Sequence, residues 1–162
     1  MERDLVINDL GEVEIKAQKI TRMAVLISIG FTCGVAFAHS GATGIVKERM
    51  DHFKASQANL KKIKTHIINE NYRAIIPLAT DIARWAEKMP DYFPVGSNLK
   101  PSEASKKIWS DFRGFSSAAH LNWKATISLA KAAKTSDKNT IITAFKKMAE
   151  SCKSCHKNYR LK

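Results

Sequence analysis

Glycine and proline are scarce in this chain, seven and four among 162 residues, so few positions interrupt a helix. Long stretches instead carry apolar residues at helical period, and the length suffices for one all-helical domain. Cysteine is scarcer still, at three, and one of these, Cys33, lies in a segment expected to be removed. That leaves too few thiols for a structural zinc of about four ligands. The net charge is +12, yet no Arg-rich cluster or stacking pattern of aromatics accompanies it. The positive residues are mostly lysines spread singly over the predicted helices, which argues against nucleic acid as a partner. They favour docking to acidic proteins, and that docking is salt-sensitive.

The apolar run Met23 to Ala38 is too short for a membrane span of about twenty residues. Lys16, Lys19 and Arg22 precede it, and Ala36-Phe37-Ala38 closes it with the small-x-small pattern of a signal-peptidase site. The expectation is therefore an N-terminal extension plus signal over residues 1–38, cleaved before His39, and a mature domain over 39–162. An uncleaved anchor is the alternative. Residues 1–38 hold four basic and five acidic side chains, so their loss leaves +13. Acidic residues such as Glu12 and Glu14 are unusual in the leading part of a signal, which points to a later start of translation. Gly30-Phe31-Thr32 before Cys33 does not resemble a lipoprotein cleavage site, and no role is assigned to that thiol.

Near the other end stands Cys152-Lys153-Ser154-Cys155-His156. Cys-x-x-Cys-His is the attachment signature of a c-type haem: two thiols add to the porphyrin vinyl groups, and the adjacent imidazole binds iron. Ile141, Phe145, Met148, Cys152, Cys155 and Tyr159 follow one another at steps of four, three, four, three and four, the stripe of one helical face. Both thiols thus point the same way, one turn apart, with His156 on the same side. A dithiol redox motif normally opens a helix after a strand, where the helix N-terminus lowers a thiol pKa. Here the motif closes a helix, and no strand-like run precedes it.

Three further helices are expected. The first, about 43–69, buries Val46, Met50, Phe53, Gln57, Leu60, Ile63 and Ile67, with Arg49 beside the stripe, either solvated or meeting a haem propionate. The second, about 72–89, buries Ile75, Ala79, Ile82, Ala86 and Met89, with Pro77 tolerated in the first turn. A loop with Pro90, Pro94, Gly96 and Pro101 follows, whose Tyr92 and Phe93 cover the core. The third runs unbroken from about 102 to 133 with Ile108, Phe112, Phe115, Ala119, Thr126, Ala130 and Ala133 inward. Ser136 or Asp137 caps the fourth. Four such helices make an antiparallel bundle, and bundles seat cofactors between facing helices.

Taken together the chain resembles the class II c-type cytochromes, cytochrome c-prime and its low-spin relatives, over about 41–162. The resemblance rests on Cys152-Lys153-Ser154-Cys155-His156-x-x-Tyr159-Arg160 at the C-terminus, Lys107-Ile108-Trp109, and Phe93-Pro94 followed by Lys100-Pro101. It implies a periplasmic four-helix bundle with one covalent haem c, His156 as axial iron ligand, Arg160 near that imidazole, and often a homodimer. In low-spin members of the family a methionine of the first helix supplies the sixth ligand. Aligned from Arg49 onward, Phe53 stands in that place, and phenylalanine cannot coordinate iron. Met50 and His52 are the rival ligands. Met148, about two turns before His156 on the same helix, is poorly placed for the distal side. His66 and His120 are read as ordinary helix residues.

Two functions follow. One is electron transfer with acidic redox partner proteins, the haem's ligation and burial setting the potential. The other is binding of nitric oxide or another small gas ligand at a five-coordinate iron beside Phe53. Enzymatic turnover of the peroxidase kind is not expected, because His52 and Arg49 form a distal pair only by proximity.

Overall fold

A computed structural model describes residues 41–161; the expected signal and its cleavage site lie outside them. Within them, α1 spans Gly44–Ile68, α2 Ile75–Lys88, α3 Lys107–Ser110, α4 Phe112–Ala133 and α5 Lys138–Tyr159. The four long helices form the expected bundle. α4 packs on both α2 and α5, α1 packs on α2, and α1 and α5 touch least of these. No helix among the described residues is long and apolar enough to cross a membrane.

The expected stripes mostly face inward. Ile75, Ala79, Ile82, Ala86 and Met89 are all buried, as are Ile141, Met148 and Tyr159 on α5. Pro77 sits in the first turn of α2, where a missing N–H costs no helical bond, and a 3-10 turn at Tyr72–Ala74 leads in. Gln57 and Phe112 are exceptions, both exposed. The core has two parts. An aliphatic half gathers Ile63, Ile75, Leu129, Ile141 and Met148. An aromatic half gathers Trp85, Met89, Phe93, Phe115 and Tyr159, with Phe53 and Cys155 packed against it.

The third helix is not continuous. Asp111 leaves the helical region at φ −135° and ψ 53°, separating the short α3 from α4. Its carboxylate caps α4 by accepting from the Gly114 N–H at 3.1 Å, and it also accepts from the Tyr159 hydroxyl at 2.8 Å. Gly114 is required here. A Cβ at that position would sit 2.6 Å from both Asp111 Oδ1 and the Tyr159 hydroxyl, closer than side-chain atoms approach, and closer still to Asp111 Oδ2. The break thus ties the start of α4 to the end of α5, where the haem motif lies. Asp137 caps α5, accepting from the Thr140 N–H at 2.6 Å.

Candidate haem site

The α5 face presents Cys152 and Cys155 half-buried, both as free thiols, with an exposed His156 next to them. Burial, and secondarily the neighbouring Cys152, pushes the Cys155 thiol up to about 11, and burial also raises Cys152. Both shifts favour the neutral thiol over the thiolate. His156 is shifted the other way: desolvation and then the positive charge of Arg160 lower its pKa. The imidazole is held neutral, with a ring nitrogen lone pair free for a metal.

Across from His156 stands Phe53 of α1. The two rings meet at 65° with centroids 6.3 Å apart. The facing ring on α1 is thus the apolar one that the family alignment singles out. His52, the rival beside it, is exposed and stacks flat on Trp85, with centroids 4.5 Å apart and an interplanar angle of 12°. Met50 is half-buried. Met148 is fully buried in the aliphatic half of the core.

Arg49 is neither solvated nor free. It is 2 % exposed and reaches into the loop after α2. It donates to the Tyr92 carbonyl at 3.2 Å, to Ser97 Oγ at 2.8 Å, to Ser102 Oγ at 2.7 Å and to the Ser97 carbonyl. Its guanidinium lies 4.4 Å above the Phe93 ring. Trp109 fastens the same loop, its Nε1–H shared between the Phe93 and Pro94 carbonyls at 3.0 and 2.9 Å. Two of the sequence marks that carried the resemblance, Phe93-Pro94 and Lys107-Ile108-Trp109, thus touch one another.

Behind the motif, residues 103–105 run alongside the end of α5. Ser105 N–H donates to the Tyr159 carbonyl at 3.0 Å and Leu161 N–H to the Glu103 carbonyl at 2.8 Å. Arg160 pairs with Glu103, its Nε donating to Oε2 at 2.7 Å. Tyr159, buried against Asp111, has its phenol pushed up to about 12 by desolvation and then by that hydrogen bond. The folded value lies above the ordinary tyrosine value of 10.0, so its contribution to stability is complete below pH 10 and is lost as pH rises towards 12. Unfolding free energy measured in urea should fall over that interval, and Tyr159→Phe should lack this component.

Sequence reasoning missed Asn122. It is buried on α4 and donates its amide to Cys152 Sγ at 3.1 Å and to Ser151 Oγ at 2.9 Å. An asparagine on the apolar stripe of α4, at the turn between Ala119 and Thr126, was the available signal.

The donors fit a covalently held planar group. Two thiols and an imidazole share one face, an aromatic ring opposes them, and the buried Trp85 Nε1–H beside that ring finds no acceptor among the described residues. They do not fit a metal held by side chains alone, since no three His, Cys, Asp or Glu of the described residues converge. A cavity of about 250 Å³, lined by Ala86, Pro90, Ala119, His120 and Trp123 among others, has no residue of the motif in its lining.

A family model described as Cytochrome C' matches residues 44–160. Cytochrome c-556 of Agrobacterium fabrum is 30% identical over 145 residues, 89% of this chain and 97% of that protein. Cytochrome c' of Rhodospirillum rubrum is 36% identical over 83 residues; the match covers 51% of this chain and 56% of that protein's length. The solved structure of cytochrome c prime from Shewanella frigidimarina superposes with a TM-score of 0.67 at 27% identity, covering 73% of this chain and 94% of that one.

Proposed function

The chain belongs to the cytochrome c′ family, whose members carry covalently bound haem c, and we propose that it is an exported gas-binding haem protein. In this reading Cys152 and Cys155 would hold the haem through thioethers, His156 would ligate its iron, and Phe53 would offer the iron no ligand. When bound, the haem would supply a one-electron iron couple and an iron open to exchangeable ligands. The observation that carries the reading is the Phe53 ring facing His156. An apolar ring there admits small uncharged molecules such as nitric oxide or carbon monoxide and gives charged ones no partner. The stacking of His52 on Trp85 supports the same reading, because it holds that imidazole flat against the indole. Export rests on the apolar run ending in Ala36-Phe37-Ala38, and the periplasm is the proposed location.

Electron transfer is the second reading. It is favoured by the exposed Lys153 and Lys157 on the motif helix and by Lys107, whose ammonium lies 5.7 Å over the Tyr159 ring. Exposed lysines steer acidic redox proteins, so reduction rates with an acidic partner should fall steeply with salt.

Attachment is tested directly. Protein matured in a host that attaches c-type haem should keep its haem after denaturation and acid extraction. Cys152→Ser with Cys155→Ser should lose all covalent haem by mass and by the alkaline pyridine spectrum. Haem retained covalently in the double variant would remove these thiols from the account.

A further inference from the structure

We propose that the Trp85 indole Nε1–H is a hydrogen-bond donor to a haem propionate; the inference rests on the haem reading above. Trp85 is 6 % exposed, and its Nε1 is the one buried side-chain nitrogen or oxygen of the described residues without a hydrogen-bond partner. An unsatisfied buried N–H is costly, and native proteins rarely keep one. A phenylalanine would fill an apolar position without that cost, so the indole calls for an acceptor that the polypeptide does not supply.

Two neighbours indicate that the acceptor is anionic. Trp85 meets Phe53 edge-on at 5.3 Å, which puts it beside the ring opposing His156, and it meets Tyr92 at 5.1 Å. The Tyr92 carbonyl in turn accepts from Arg49 at 3.2 Å. Arg49 is a buried cation whose hydrogen-bond partners are all neutral: two carbonyls and two hydroxyls. Among the described residues, a buried charge without a counter-ion and a buried donor without an acceptor thus lie around Tyr92. A carboxylate brought in by the cofactor answers both. A diatomic ligand on iron would leave the N–H unpaired whenever the ligand is absent, whereas a propionate is a permanent partner.

The N–H dipole offsets part of the carboxylate charge, and that charge otherwise favours ferric over ferrous iron. The test replaces Trp85 in the holoprotein by phenylalanine and, separately, by benzothienylalanine, which keeps the indole shape and exchanges N–H for sulfur. Both should lower the reduction potential at fixed pH, with covalent haem content and spin state retained. Ultraviolet resonance Raman of the unsubstituted protein should also show a hydrogen-bonded indole N–H with haem attached and a free one in the Cys152→Ser, Cys155→Ser protein. If Trp85→Phe fails to fold, the benzothienyl isostere decides. An unchanged potential in that isostere, with haem attached, overturns the proposal and leaves the haem reading standing. An unsubstituted protein that carries no covalent haem overturns that reading itself.

Discussion

Phe53→Met should convert the iron to six-coordinate and low-spin, and the reduced variant should lose most of its carbon monoxide binding. Phe53 is the α1 ring that faces His156, and a methionine there has the length and flexibility to bring its thioether towards the point that the phenyl now occupies. A thioether bound about 99% of the time would lower the apparent affinity for an external ligand about 100-fold. The potential should rise as well, since methionine–histidine ligation raises it. The decisive readout is the reduced spectrum before and after the gas is added. Unchanged binding in the variant would mean that Phe53 does not define the distal face.

Arg49→Ala should cost about 3 kcal/mol of stability, measured by urea unfolding of the holoprotein. The substitution removes four hydrogen bonds and leaves the Tyr92 and Ser97 carbonyls without that donor. Burial lowers the guanidinium's pKa, yet arginine stays charged, so the bonds removed are the stronger charge-assisted kind. Arg49→Lys should recover only a part, because one ammonium does not reach acceptors spread over Tyr92, Ser97 and Ser102 in a planar fork. A loss below about 1 kcal/mol in Arg49→Ala would show that Trp109 alone holds the loop.

These two residues mark how far the sequence could be read. The haem motif was legible because its chemistry is local: two thiols and an imidazole within five positions of one helix. The buried faces of α2 and α5 were legible for the same reason, since apolar period is a local signal. Phe53 was reached only by aligning the chain with a family from Arg49 onward. The burial of Arg49 in the loop after α2 was not legible, because its partners stand 43 to 53 positions away in a loop without periodicity. The break at Asp111 was hidden in the same way. Trp109-Ser110-Asp111-Phe112 contains no glycine or proline, and the carboxylate leaves the helix to meet Tyr159, 48 positions on. Trp85 and Asn122 read as core or stripe residues, and only the packing shows which of their polar atoms have partners.

The central claim is an iron with no protein ligand on the Phe53 side. Absorption spectra of the purified holoprotein, oxidised and reduced, with and without carbon monoxide, test it most directly. A high-spin reduced spectrum that shifts when the gas is added is the predicted result. A sharp low-spin spectrum indifferent to carbon monoxide would contradict it, and would mean that Met50, His52 or another side chain caps the iron and that the protein is an electron carrier.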